Sequence, residues 1–185
     1  QKLNSEMRLA LTVSSCIGSS VSYTVLNVLA NDFKMDLMRV LKQVSEKGYM
    51  VHDVEGSMFR FSHDKIQQSA YQLITEEERR RNHMHYGLAL SSNCLDTNAE
   101  NDEMLFVAVN QINLGGPDVL SNAKQKQLLA SLNLKAGRHA NDLSDYASGE
   151  LLQFRCMVGA CEEYILYHLM LLQPSDSSVM AFCSY

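Results

Sequence analysis

The stretch MFRFSHDKIQQSAYQLI, residues 58–74, carries most of the fold prediction because its periodicity changes in the middle. Its first residues alternate, which is typical of a strand and places Phe59 and Phe61 on one face. From Asp64 onward, apolar residues recur at the spacing of one helix face. The stretch therefore predicts a strand that leads directly into a helix, with His63 at the join.

Two residues at this join are the candidate site residues. Strand alternation predicts that His63 shares the face of Phe59 and Phe61 and points inward or into a cleft. It also precedes a helix N-terminus, where backbone N–H groups bind anions, so its ring could donate a hydrogen bond to a phosphate. Asp64 and Gln67 have the spacing of a capping box, which predicts Asp64 as the helix cap. A hydrogen-bonded core histidine is the alternative for His63.

Upstream of this stretch, the pattern predicts three short helices and a hairpin. Residues 6–15 form the first helix, with Ser5 as its cap, and Ser22 precedes the second. The third helix covers residues 36–48, where apolar residues recur at the helical period. A turn at residues 55–57 then separates two short β-favouring runs. This order is that of a winged-helix domain with a small β-hairpin.

Downstream, the chain reads as consecutive helices joined by short loops. Thr75 is expected to cap the first of them, with three glutamates in its first turn, where the helix dipole favours acids. We expect further helices at residues 104–114, 123–143 and 146–172. The pattern is typical of a TPR-like antiparallel helical array, although the sequence shows no fixed-period repeat.

The predicted organisation is a mainly α chain in three parts. These are a winged-helix-like domain, a helical repeat-like region and a polar tail, at residues 1–74, 75–173 and 174–185. The chain has 185 residues, of which 46% are hydrophobic, so it can bury a sizeable core. No apolar run has the length of a membrane span, and the start at Gln1 without a leader suggests a piece of a longer protein.

Charge and cysteine content narrow the possible partners and the compartment. The net charge of −5 argues against a general nucleic-acid binder, which needs basic surface to replace counterions. The five cysteines are scattered without a disulfide framework, which predicts reduced thiols in the cytoplasm. We therefore expect neither a membrane nor a nucleic acid as the partner.

The sequence contains no recognisable catalytic or metal-binding motif. A P-loop needs a second Gly and a Lys at fixed offsets, and neither follows Gly18. His83 and His85 would lie about 200° apart on a helix, and Cys156 and Cys161 also have poor ligand spacing. We therefore expect no enzyme activity, no metal and no cofactor in this fragment itself.

Two binding roles are compatible with the sequence. In a DNA-binding regulator, the third predicted helix would be the recognition helix, since it carries the basic residues Arg39, Lys42 and Lys47. Acidic residues lie beside these three on the helix and on the following hairpin. The surface around the recognition helix of a sequence-specific DNA-binding protein is usually basic. In a protein-interaction scaffold, His63 would be purely structural.

The central stretch resembles a known family. The sequence FRFSHDKIQQSAYQLITEEERRRNHMHYGLAL is similar to the segment after the nucleotide-binding core of STAND/AAA-type ATPases, with Ser69 in place of a usual Ala. The matching pattern is approximately F-x-F-x-H-D-x-[VI]-Q-Q-A-A-Y-x-L-I. LFVAVNQINLGG and LASLNLKAGRHANDLSDYASG resemble later motifs of the same region. The resemblance covers residues 9–149 and is poor beyond them.

The resemblance implies a place within a signalling protein. Such ATPases form the middle region of multidomain proteins, between a serine/threonine-kinase-like domain and the GAF and histidine-kinase domains of two-component systems. The resemblance implies a winged helix followed by TPR-like repeats, with the P-loop upstream of Gln1. It also implies that His63 aligns with a histidine that contacts the β-phosphate of the bound nucleotide.

The predicted function is therefore that of a non-catalytic regulatory and interaction segment of a STAND-type ATPase. The segment would couple the ATP or ADP state of an upstream nucleotide-binding domain to downstream signalling domains or to a partner protein. His63 would act as the nucleotide sensor and Asp64 as the helix cap. ATPase activity, and any histidine kinase activity, would belong to the parent protein.

Overall fold

The computed structural model describes residues 3–33, 35–94, 102–116, 122–143, 145, 147–149, 151–152 and 155. This part of the chain is mainly helical, as predicted, and contains one small antiparallel sheet. Within it, no helix combines the length and the hydropathy that crossing a membrane requires. The elements in chain order are α1 (Ser5–Ile17), β1 (Ser20–Ser22), α2 (Tyr23–Ala30), α3 (Leu37–Glu46), β2 (Met50–Asp53), β3 (Met58–Phe61), α4 (Asp64–Tyr71), α5 (Glu76–Ser91), α6 (Asp102–Gly115) and α7 (Ala123–Asp142).

The sheet has the strand order β1-β3-β2, and both neighbouring pairs are antiparallel. The sequence predicts the β2–β3 hairpin but not β1, because three residues are too few to show an alternating pattern. On the central strand, Phe59 lies opposite Val21 and His52. Phe59 is fully buried and Val21 nearly so, and the sheet therefore contributes to the core.

Helices α1, α2 and α3 supply the rest of this core. Gly48 follows α3 with a φ of +80°, the left-handed conformation that commonly ends a helix. Ser22 caps α2, as its position in the sequence indicates. The prediction of Ser5 as the cap of α1 is wrong, because the side chain of Asn4, one residue earlier, accepts the N–H of Met7 at 2.8 Å. The apolar stripe predicted for α3 is confirmed by the burial of Leu37, Val40, Leu41 and Val44, and α2 buries Val25, Leu26 and Leu29.

Helices α5 and α6 form an antiparallel pair. Arg80 Nε donates to the carbonyl of Gly115 at 3.1 Å near one end of the pair. Further along, Gly87 faces Ala108 and Ile112. Helix α6 buries Leu105, Ala108, Val109 and Ile112.

The chain divides into two compact units, Gln1–Ser121 and Asn122–Tyr185. The predicted boundary after residue 74 does not separate two units, because α5 packs on α1 and α2. The last helix and the tail predicted at residues 146–172 and 174–185 lie almost entirely outside the described residues. In the second unit, the predicted amphipathic helix is α7, whose buried face includes Leu129, Leu132, Ala136 and Ala140.

Thr75 is the N-cap of α5 and forms a capping box with Glu78. Replacing Thr75 tests how much this cap contributes to stability. Its Oγ1 accepts the N–H of Glu78 at 3.3 Å, and the Glu78 carboxylate accepts the N–H of Thr75 at 2.8 Å. Thr75→Ala is expected to lower the free energy of unfolding by about 1 kcal/mol, because a backbone donor loses its acceptor. Thr75→Ser keeps the acceptor and is the matched control. Urea unfolding followed by circular dichroism measures both variants, and equal midpoints would contradict the prediction.

Candidate functional site

His63 lies at the start of α4 and is its N-cap. Its backbone is extended, and its Nδ1 atom accepts the N–H of Lys65 at 3.1 Å. The residue is exposed, so the prediction that it points inward beside Phe59 is wrong. Strand β3 ends at Phe61 and the chain bends at Ser62, and the alternation of the strand therefore does not extend to His63.

Asp64 is the first residue of α4, and the capping role predicted for it belongs to His63. The cap lies one position earlier because the His63 ring already accepts an N–H group of the first turn. The carboxylate of Asp64 lies in this first turn, where the helix dipole favours a negative charge. Gln67, expected to complete a capping box with Asp64, lines a cleft.

The capping bond fixes the tautomer of His63. A backbone N–H can only donate, so Nδ1 is the acceptor in the bond from Lys65 and carries no proton. The neutral ring then carries its proton on Nε2. Because the residue is exposed, this N–H can be reached by an acceptor such as a phosphate oxygen.

A cleft of about 490 Å³ opens beside the start of α4. Its walls come from the last turn of α1 and from α4, α5 and α6. Asp64 belongs to the lining, whereas His63 does not. The polar and apolar side chains that the cleft exposes include those of Gln67, Gln68, Asn110 and Leu114.

A buried hydrogen-bond network lies along this cleft and joins Tyr71, His83, Gln111 and the backbone of Cys16. The hydroxyl of Tyr71 is 2.8 Å from His83 Nε2, and His83 Nδ1 is 2.7 Å from Gln111 Oε1. Gln111 Nε2 donates to the carbonyl of Cys16 at 3.0 Å. These residues belong to α4, α5, α6 and α1, so the network holds four helices together.

The direction of each bond in the network follows from Gln111. Its amide nitrogen donates to a carbonyl, so its Oε1 atom must accept the proton of His83 Nδ1–H. His83 Nε2 then accepts a hydrogen bond from the hydroxyl of Tyr71. Burial lowers the pKa of His83 and raises the pKa of Tyr71, which keeps both side chains neutral at neutral pH.

Arg79 and the thiol of Cys16 flank the network. The Arg79 guanidinium lies over the ring of Tyr71, 4.8 Å from the ring centroid, in a cation–π geometry. Burial raises the pKa of Cys16 to about 11, although the charge of Arg79 acts in the opposite direction. The thiol is therefore protonated at neutral pH and is a poor nucleophile.

The two histidines considered as metal ligands have different surroundings. His83 is buried in the network, whereas His85 is exposed and its Nε2 lies 3.3 Å from Asp32 Oδ2. In the described ranges, no three His, Cys, Asp or Glu side chains come together as a metal site requires. Cys156 and Cys161, the other pair considered, lie outside the described residues.

Basic residues of α3 and of the hairpin have acidic neighbours. Arg39 Nη2 lies 3.7 Å from the Glu6 carboxylate, and Arg60 pairs with Asp53 at 2.5 Å. The N–H of Gly56 holds the pKa of Asp53 below its usual value, so this carboxylate is charged at neutral pH. The surface considered for DNA binding therefore carries both positive and negative charges.

The sequence-based prediction misses the buried network. Its one local signal is Gln111, a polar residue on the face of α6 that also carries Ala108 and Ile112. An uncharged polar side chain on a buried face needs a hydrogen-bond partner. Local periodicity does not identify that partner, because Tyr71 and His83 belong to other helices.

Comparison of the chain with family models, with curated proteins and with solved structures gave no match. Two features stand out in the first unit, namely the capping histidine and the cleft with its buried network.

Proposed function

We propose that the chain is a non-catalytic regulatory segment of a STAND-type ATPase signalling protein. It couples the nucleotide state of an upstream ATPase core to a partner protein or to effector domains. The core binds ATP or ADP, and His63 is the residue of this segment that senses which nucleotide is present. The proposal starts from the resemblance of residues 59–90 to that family.

The element order supports a winged-helix fold for the first part of the chain. Helix α1, strand β1, helices α2 and α3, and the hairpin β2–β3 follow one another, and β1 pairs with β3. The antiparallel pair α5–α6 supports a TPR-like character for the region that follows. A fold alone does not fix a function, so the sensor role depends on His63 itself.

The observation that carries the sensor role is the exposed position of His63 together with its capping bond. The capping bond to Lys65 orients the ring and assigns the outward proton to Nε2. The first turn of α4 lies directly behind it, and the positive end of a helix dipole favours an anion at this position. A terminal phosphate held by a neighbouring domain would therefore meet a hydrogen-bond donor at a helix N-terminus.

Sensing requires that the two nucleotides differ in how they bind this segment. In the proposed mechanism, the terminal β-phosphate of ADP accepts a hydrogen bond from His63 and stabilises docking of the segment on the core. The γ-phosphate of ATP changes the group presented to His63 and weakens docking. One hydrogen bond to a charged group contributes about 1.5–3 kcal/mol, which is enough to change a docking equilibrium about tenfold or more.

Two substitutions of His63 separate sensing from capping. His63→Asp supplies a strong helix cap, but its negative charge repels a phosphate. His63→Ala removes the cap and the donor together. In a parent protein that includes the ATPase core, both variants are expected to retain about tenfold less ADP after purification than the unmodified protein. Chromatography of the nucleotide released on denaturation measures the retention.

His85→Ala is the matched control, because His85 is another exposed histidine on a helix and lies outside the cleft. This variant is expected to retain ADP like the unmodified protein. If His63→Asp also retains ADP, His63 is only a helix cap. The chain is then better described as a protein-interaction scaffold.

A further inference from the structure

The cleft between α1, α4 and α6 contains hydrogen-bonding groups that the fold does not use. Gln67, Gln68 and Asn110 line it, and their carboxamides make no hydrogen bond to any residue that the structure describes. Gln67 is half-buried, and the other two are exposed. By contrast, the amide of Gln111, next to Asn110 in α6, is fully buried and bonded at both ends. The cleft therefore contains three side-chain amides without a hydrogen bond to the described residues, next to a network in which the amide of Gln111 is fully bonded.

Unengaged carboxamides favour a polypeptide as the ligand. Each carboxamide offers a donor and an acceptor, which complement the acceptor and donor of a peptide bond. Apolar contact is also possible, since Ile17 and Leu114 belong to the lining and Leu114 is 49% exposed. The volume of about 490 Å³ lies within the range of ligand-binding clefts. These features together fit a short extended segment better than a compact anion.

An exposed carboxylate at the edge of the cleft favours a basic side chain at that position. Asp64 is exposed and is the one acidic residue among the described residues that line the cleft. Helix α1 ends at the cleft, so the negative end of its dipole faces the same space. The nearby guanidinium of Arg79 lies over the ring of Tyr71, and the buried His83 is neutral.

We propose that this cleft binds an extended segment of a partner protein that carries a lysine or arginine side chain. The backbone of the segment bonds to the carboxamides of Gln67, Gln68 and Asn110, and its basic side chain pairs with Asp64. The segment contacts the helix that His63 caps. The inference does not depend on nucleotide sensing by His63, although both sites share α4.

Capped hexapeptides provide a test with the full chain. Three libraries of N-acetylated, C-amidated peptides carry Lys, Glu or Leu at a fixed central position, with random residues elsewhere. The Lys library is expected to give the strongest binding to the immobilised protein. The tightest Lys peptide, labelled with fluorescein, then serves as the probe in anisotropy titrations that measure Kd.

Variants of the lining connect this binding to the cleft. Asp64→Asn is expected to raise the Kd of the Lys peptide by about tenfold, and Asp64→Lys by about a hundredfold. Asp64→Lys is also expected to shift the library preference from Lys to Glu. Asn110→Leu removes bonds to the peptide backbone and is expected to raise Kd by about tenfold.

Matched controls change similar groups outside the cleft. Glu55→Lys reverses an exposed charge in the hairpin turn, and Gln72→Leu removes an exposed amide just after α4. Both controls are expected to keep the Kd of the unmodified protein. Circular dichroism spectra of all variants verify that the helices are intact.

Three results would overturn the proposal: equal binding of the three libraries, no binding at millimolar peptide concentration, or an unchanged Kd in Asp64→Lys and Asn110→Leu. The variant His63→Asp distinguishes this proposal from the sensor role. If that variant retains as much ADP as the unmodified protein, the sensor proposal is wrong. An unchanged or lower Kd for the Lys peptide in the same variant supports the proposal that the peptide binds in the cleft.

Discussion

Replacing Gln111 by leucine is expected to lower the free energy of unfolding by about 2–6 kcal/mol, since two buried groups lose their partners at about 1–3 kcal/mol each. The carbonyl of Cys16 loses its donor, and Nδ1–H of His83 loses its acceptor. Gln111 has no exposed surface, so water does not reach these groups easily. Leucine is of similar size, and the effect therefore comes from unmet hydrogen bonds rather than from a cavity.

Asn110→Leu is the matched control for this change, because it introduces the same side chain at the adjacent exposed position. It is expected to change the free energy of unfolding by less than about 0.5 kcal/mol. Guanidinium denaturation of both variants, monitored by circular dichroism, gives the comparison. If the two variants have the same stability, the network does not hold the four helices together.

Gly87→Ala is expected to destabilise the protein by about 1–3 kcal/mol through overpacking. A Cβ atom at this position would lie 2.5 Å from Ile112 Cγ1 and 2.7 Å from the backbone nitrogen of Ile112. The side chain can rotate away, but the nitrogen moves only if α6 itself moves. Such a movement also displaces Gln111 from His83, so the substitution affects both the packing and the network.

Gly18→Ala is the control for the addition of a methyl group. Its Cβ would lie 3.6 Å from the carbonyl oxygen of Ser20, an ordinary contact, and its backbone is extended. It is expected to change stability by less than about 1 kcal/mol. Thermal unfolding measures both glycine variants, and a midpoint for Gly87→Ala as high as that of Gly18→Ala would contradict the close approach of α5 and α6.

The features that the sequence predicts correctly depend on local patterns. Val40 and Val44 in α3, and Ala108 and Ile112 in α6, are buried because helical spacing places them on one side of the helix. This relation needs no knowledge of the neighbouring element. The same is true of Thr75, whose capping partner is three residues away.

Caps are less predictable where two neighbouring residues can both serve. Asn4 and His63 act as caps in place of the predicted Ser5 and Asp64, and each lies one residue earlier. At each helix start, both neighbouring side chains carry a hydrogen-bond acceptor. Backbone geometry, which the tertiary structure decides, selects between them.

The candidate cleft was beyond prediction for a different reason. Its lining comes from four helices, and the bonds that organise it join residues such as Tyr71, His83 and Gln111 across those helices. Sequence spacing carries no information about such pairs. The resemblance that directs attention to His63 also includes Tyr71 and Gln111, but it assigns neither of them a role.

The bond between Gln111 and the end of α1 has a consequence for the order of events during protein synthesis. It joins residues that are 95 positions apart, so the end of α1 emerges from the ribosome long before Gln111 does. Until then, the carbonyl of Cys16 and the ring of His83 lack the partner that satisfies them. Because domains generally fold as units, the first unit is expected to complete its folding only after α6 has been synthesised. A nascent chain that ends before α6 is accordingly a target for chaperones and proteases.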